Sequence, residues 1–118
     1  MTWLVAFHTA FEAEFANLPL GVRESLAAAA TLLASQGPML GRPHADTLAG
    51  SKHANMKELR FRANDGVWRA AFAFDPERKA ILLVAGDKAG VAQSRFYKVL
   101  IAKADARFDA HLAVTKGN

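Results

Sequence analysis

The 118-residue sequence contains no cysteine, so neither a disulfide framework nor a thiolate metal site can form. Its apolar runs all fall short of the roughly 18 residues that a membrane-spanning helix needs. The first residues, MTWLVAFHTAFEAEF, lack a basic start and reach Glu12 and Glu14 early, unlike a signal peptide. We therefore expect a cytoplasmic protein without a membrane segment.

Apolar residues are plentiful, at 52% of the chain, which excludes a disordered protein. A chain of this length can bury roughly two thirds of its unfolded surface, enough for one core. We expect a single domain over residues 1–118. Lysine and arginine outnumber acidic residues by 15 to 11, and the net charge of +4 favours a polyanionic partner.

Apolar spacing predicts three helices. Phe11, Phe15 and Leu18 recur at helical intervals before Pro19, and a second helix is expected from about Leu20 to Ser35. A third helix follows Gly90, and its apolar residues recur every fourth position: Phe96, Leu100, Ala104, Phe108 and Leu112.

Four strands are expected in addition. They are Trp3–Phe7, Lys57–Ala63, Val67–Asp75 and Ile81–Ala85, the last apolar enough to be buried on both faces. Asn64-Asp65-Gly66 predicts a hairpin turn whose glycine takes the left-handed conformation. The order β-α-α-β-β-β-α indicates an α+β fold: an antiparallel sheet packed against helices, with the first strand at an edge.

The stretch from Gly37 to Asn55 has no regular pattern and is predicted to be a long loop. It carries His44, Asp46 and His53, whose spacing matches no standard metal motif, so we expect no metal site. His53 is retained only as a candidate acid or base.

Alternation within the strands carries the functional prediction. Glu58, Arg60 and Arg62 share one face of their strand, and Arg69 lies on the next strand across the turn. We expect this face to be open to solvent, and three guanidinium groups there could surround one phosphodiester. The alternative is an ordinary solvated face of an antiparallel sheet.

Several segments together resemble the RelE/ParE toxin superfamily, specifically its HigB-like, phage-derived branch. The resemblance covers essentially the whole chain, and its strand-turn-strand piece is the most specific part. The segments are Gly41-Arg42-Pro43, Leu48-x-Gly50, Glu58-Leu59-Arg60-Phe61-Arg62, Gly66-x-Trp68-Arg69, Gly86-Asp87-Lys88 and Phe96-Tyr97.

The resemblance implies a toxin of a type II toxin–antitoxin module that cleaves messenger RNA, commonly on the ribosome, without metal or cofactor. The ribose 2′-OH would attack its own 3′ phosphate. By matched position, Arg69 would clamp that phosphate with help from Arg60, Lys88 would stabilise charge or protonate the leaving oxygen, and Tyr97 would orient the substrate.

One position departs from the pattern. Glu58 stands where a RelE-type enzyme has a lysine, so Glu58 is either the base or the counter-charge of the arginines. The remaining cations expected to contact RNA are Arg62, Lys57, Lys52, Arg95 and Lys98.

The implied partners are messenger RNA, the ribosome and a cognate antitoxin, HigA-like with a helix-turn-helix. Operator DNA would be reached only through that antitoxin. Two alternatives stay open: a ParE-like toxin that inhibits DNA gyrase without cleaving RNA, and a degenerate, non-toxic interaction module. The basic residue set argues against the gyrase inhibitor.

Overall fold

The computed structural model describes residues 2–116. Its centre is a five-stranded sheet in the order β1-β5-β4-β3-β2, with helices on both faces. The elements are β1 (Val5–Phe7), α1 (Thr9–Ala16), α2 (Leu20–Gln36), a short 3-10 turn (Gly37–Met39), β2 (Ala45–Thr47), β3 (Lys57–Ala63), β4 (Gly66–Phe74), β5 (Ala80–Asp87) and α3 (Gln93–Lys116). The α+β class and the expected elements are confirmed.

The sheet differs from the expected one in two respects. β1 is at an edge, as expected, but runs parallel to its neighbour β5. In the chain the two strands are separated by α1, α2 and the strands β2 to β4. The supposed long loop contains β2, which pairs antiparallel with β3 from Ala45 to Thr47. Three residues are too few to show alternation, so the sequence pattern hid this strand.

The two apolar clusters lie on opposite faces of the sheet. On one face, α1 and α2 cover the side chains of Leu59, Phe72 and Leu82. On the other, α3 covers Ala71, Ile81 and their neighbours. The expected stripe on α3 is confirmed: Phe96, Leu100, Ala104 and Phe108 are all buried. The second face of the sheet is therefore covered by α3 where Glu58 and Arg69 lie and stays open only towards Arg60 and Arg62, which corrects the expectation of an open face.

The turn between β3 and β4 sets the register of the site. Asn64 and Asp65 take the left-handed conformation, with φ of 51° and 61°, and Gly66 already belongs to β4. The turn thus has two central residues, which matches the twist of a hairpin. Gly66 is required for another reason: a Cβ there would lie 2.6 Å from Oδ2 of Asp87.

Among the described residues, no helix is long and apolar enough to cross a membrane.

Truncating a side chain between the sheet and α1/α2 should cost far more than truncating an exposed one. We expect Phe72→Ala to lower the free energy of unfolding by about 3–5 kcal/mol, since Phe72 is fully buried. Met39→Ala, at an exposed position, should change it by no more than about 0.5 kcal/mol. Urea denaturation measures both values, and equal costs would contradict this description of the core.

Candidate functional site

The hairpin places two arginines side by side. Arg60 of β3 is directly opposite Arg69 of β4, and Glu58 is opposite Ala71 two residues away on the same face. Neighbouring strands are about 4.8 Å apart, so these side chains form one cluster. Ala71 packs under α3, and this places the cluster beside the first turns of that helix.

Glu58, Tyr97 and Arg69 form the centre of the cluster. The Tyr97 hydroxyl donates to Oε1 of Glu58 at 2.9 Å and accepts from Nε of Arg69 at 3.3 Å. The same Arg69 nitrogen lies 3.7 Å from Oε1 of Glu58. The Arg69 and Glu58 side chains are only 7% and 5% exposed. Arg69 is further held by donating from Nη1 to the Trp68 carbonyl at 2.9 Å.

Arg60 lies between two carboxylates. Its Nη1 is 4.0 Å from Oε2 of Glu58 and 3.7 Å from Oδ2 of Asp46 on β2. Asp46 also accepts from Arg42, at 2.9 Å from Nε and 2.6 Å from Nη2. The short strand β2, which the sequence pattern does not reveal, thus supplies Arg60 with a counter-charge.

Lys88 reaches the cluster from the end of β5. Its Nζ lies 5.9 Å from the centre of the Tyr97 ring. Its backbone N–H donates to the Val67 carbonyl at 2.8 Å. Asp87 fixes the same junction, because its Oδ1 accepts from the N–H groups of Val67 at 3.0 Å and Ala89 at 2.9 Å.

The surroundings shift the protonation equilibria of three groups in the cluster. Burial raises the pKa of Glu58, against the opposing effects of Tyr97 and Arg69. Burial also raises the pKa of the Tyr97 hydroxyl, and its hydrogen bond to Glu58 raises it further. The pKa of Lys88 is lowered, first by desolvation and then by the charges of Arg69 and Arg60. These shifts make the carboxylate a stronger base and the ammonium a stronger acid.

A cleft gives outside molecules access to the arginines. Its lining combines the three guanidinium-bearing residues with apolar side chains: Pro43, Arg60, Phe61, Arg62, Val67 and Arg69. Arg62 is exposed, Arg60 is partly exposed, and Arg69 reaches the cleft from the buried side. A phosphate entering the cleft would meet two or three arginine side chains at once.

Other predicted cations lie elsewhere. Lys57 points to the opposite face of the sheet and donates to the Pro38 carbonyl at 3.3 Å. Lys52 pairs with Asp109 on the second half of α3. Arg95 lines a separate groove beside β5, and Lys98 is exposed on α3 next to Tyr97.

The histidine candidates are also separate from the cluster. His53 lies 2.8 Å from Asp109 and packs against Phe108. Within residues 2–116, no group of three or more His, Asp or Glu side chains is arranged to hold a metal.

Sequence reasoning missed the parts played by Asp46 and Asp87. Asp87 had a detectable local signal, since an aspartate that leaves a strand commonly accepts from the N–H two residues ahead. Asp46 had none, because its contact with Arg60 depends on the pairing of β2 with β3.

Replacement of Glu58 by glutamine should reveal the cost of burying this carboxylate. Because the folded pKa is raised above the unfolded one, the contribution of Glu58 to stability is present at low pH and lost as pH rises through the folded pKa. We expect the free energy of unfolding of Glu58→Gln, relative to the unchanged chain, to increase between about pH 4 and pH 8. Urea denaturation across that range measures it.

Glu24→Gln, at an exposed helical position, controls for the loss of a carboxylate as such. The measured quantity is the free energy of unfolding of Glu58→Gln minus that of the unchanged chain. If this difference stays constant or falls as pH rises, the expected cost of burying the carboxylate is contradicted.

Comparison with known proteins identifies the family. The model of the family described as phage-derived protein Gp49-like matches residues 13–109. HigB3 of Mycobacterium tuberculosis, a protein named as a toxin, is 47% identical over 93 residues, which are 79% of this chain and 79% of HigB3. HigB2 of the same organism, also named as a toxin, is 47% identical over 91 residues, 76% of this chain. The chain spans 45% of the length of HigB2.

A solved structure supports the fold. The E. coli toxin RelE, as a double arginine-to-alanine mutant in the free state, superposes with a TM-score of 0.62 at 15% identity. The match covers 87% of this chain and 97% of that one. The chain therefore belongs to the phage-derived Gp49-like family, as a HigB-type member with a RelE-like fold.

Proposed function

We propose that this protein is the toxin of a type II toxin–antitoxin module and acts in the cytoplasm as an endoribonuclease on ribosome-bound messenger RNA. Residues 1–118 would form its one catalytic domain. The toxin assignment is supported by the names of its relatives HigB2 and HigB3. The ribonuclease assignment rests on the cluster itself.

The observation that carries the proposal is the pairing of Arg60 with Arg69 across the hairpin, beside one buried carboxylate. The known hydrogen bonds of Arg69 use two of the five N–H groups of a guanidinium. The side chain is thereby held in place while it still lines the cleft. Donors fixed in advance stabilise developing charge without reorganising during the reaction.

The substrate fits the cleft through its phosphate. The phosphodiester oxygens would accept hydrogen bonds from Arg69 and Arg60, with Arg62 on the adjoining phosphate. Lys98, exposed beside Tyr97, would contact RNA further along. Lys57, Lys52 and Arg95 are not assigned to RNA, because they lie away from the cleft.

The proton chemistry follows from the hydrogen-bond order. The ribose 2′-OH would pass its proton to the Tyr97 oxygen, while Tyr97 passes its own proton to Glu58 along the existing 2.9 Å hydrogen bond. The new O2′–P bond would form as the P–O5′ bond breaks. Glu58 would thus act as the base through Tyr97, as its burial requires.

Lys88 would complete the reaction by protonating the departing O5′. Its lowered pKa makes that transfer easier than from an ordinary lysine. The products would be a 2′,3′-cyclic phosphate and a free 5′-OH. Three residues then have separate tasks: Arg69 stabilises charge, Glu58 accepts a proton and Lys88 donates one.

A cognate antitoxin is the partner that this function requires, since free activity would stop growth. We propose a HigA-like protein with a helix-turn-helix, through which the toxin would reach operator DNA.

The most informative substitution at Arg69 is lysine, which keeps the positive charge and removes the planar guanidinium group. Arg69→Lys still pairs with Glu58, so the fold should persist, but a single ammonium cannot bind a phosphate bidentately. We expect cleavage to fall by about 10²-fold or more, and growth arrest on expression to be lost. Primer extension on cellular messenger RNA measures this as the disappearance of new 5′ ends.

Arg78→Lys is the matched control, because Arg78 is exposed and lies over Trp3 at the other end of β4. It should retain full cleavage. If expression of the unchanged protein leaves messenger RNA intact but causes defects in DNA supercoiling, the protein is instead a gyrase inhibitor. Undiminished cleavage by Arg69→Lys would reject the role assigned to Arg69.

A further inference from the structure

Within residues 2–116, β5 has no neighbouring strand on its outer side after Leu82. β1 pairs with β5 only from Ala80 to Leu82, whereas β5 continues to Asp87. Beyond Leu82, β4 is the only strand beside it among residues 2–116. Open strand edges present main-chain groups that can pair with another chain.

The backbone of Ala85 faces this open side. The Lys88 N–H donates inward to Val67, and Gly86 is opposite Arg69 in the antiparallel ladder. Because backbone groups alternate in direction along a strand, the N–H and C=O of Ala85 point outward. The carbonyl of Leu83 is already occupied, because it accepts a hydrogen bond from Nη1 of Arg107 at 2.8 Å. The part of the β5 edge that can pair with another chain therefore begins after Leu83.

An apolar groove adjoins the same edge. Its floor is formed by β5 and its wall by α3 and the preceding loop: Val84, Ala85, Gly86, Val91, Phe96, Val99 and Leu100. Val99 is 59% exposed and Val91 is 41% exposed. Two exposed valines that line one groove next to an open strand edge are typical of a surface that another chain covers.

The rim of the groove is basic. Arg95 and Lys103 line it from α3 and are both exposed. Arg107 holds Glu14 with two hydrogen bonds of 2.8 and 2.6 Å and lowers the pKa of that carboxyl, and the charge of Lys103 lowers it further. In the part of the chain that the structure describes, neither Arg95 nor Lys103 forms a salt bridge.

We propose that this groove binds an extended, acidic segment of a partner protein, which adds a short strand to the open edge of β5. The edge selects an extended segment over a helix, because only an extended backbone can pair with Ala85. The valines favour alternate apolar side chains, and the rim favours carboxylates at the intervening positions. The apolar floor disfavours RNA. The proposal does not depend on RNA cleavage.

A designed peptide tests the proposal on the full chain. The probe is a capped hexapeptide of alternating glutamate and valine, titrated into isotope-labelled protein and followed by NMR. We expect shifts at the amides of Ala85, Gly86 and Val99, together with slower hydrogen exchange at Ala85 N–H. The matched lysine–valine peptide should bind at least about ten-fold more weakly.

Three variants distinguish binding in the groove from general effects of substitution on α3. Val99→Glu should abolish binding, whereas Ala110→Glu, about three turns further along α3, should not. Reversing the rim charges in Arg95→Glu/Lys103→Glu should make the lysine–valine peptide the better ligand.

Three results would overturn the proposal. The first is the absence of shifts at these amides with the acidic peptide at millimolar concentration. The second is equal binding by a peptide whose main-chain nitrogens are methylated, since it could not form a strand. The third is displacement of the acidic peptide by a short single-stranded RNA that shifts the same amides, which would assign the groove to RNA.

Discussion

The buried carboxylate of Glu58 constrains everything around it, because a charge removed from water must be matched by opposite charge and hydrogen bonds. The fold meets this requirement from three elements at once: Arg60 lies beside Glu58 on β3, Arg69 comes from β4 and Tyr97 comes from α3. The same contacts fix Arg69 at the bottom of the cleft. Stability and the geometry of the site therefore depend on one network.

Two further carboxylates, outside the group formed by Glu58, Tyr97 and Arg69, hold the neighbouring cationic residues. Asp46 holds Arg60 and Arg42, and Asp87 fixes the junction from which Lys88 reaches Tyr97. The guanidinium groups of Arg60 and Arg69 are thus held by carboxylates or backbone groups before any substrate arrives, and the backbone of Lys88 is fixed at the end of β5. For the proposed reaction, such preorganisation is where most of the rate enhancement would originate.

Local patterns predicted much of this structure and missed what depends on distant contacts. Alternation along β3 and β4 correctly grouped Glu58, Arg60 and Arg69, because strand period is a property of neighbouring residues. The cover provided by α3 was missed, since Tyr97 and Glu58 are 39 residues apart. The parallel pairing of β1 and the short strand β2 also arise only from tertiary packing.

The most direct test of the account is the chemistry of the RNA ends, with purified protein acting on a defined messenger RNA in a reconstituted translation system. Attack by the 2′-OH at the Arg69 cluster predicts upstream fragments ending in a 2′,3′-cyclic phosphate and downstream fragments beginning with a 5′-OH. Mass spectrometry distinguishes these ends. Fragments with a 3′-OH and a 5′-phosphate, or uncut RNA, would contradict it.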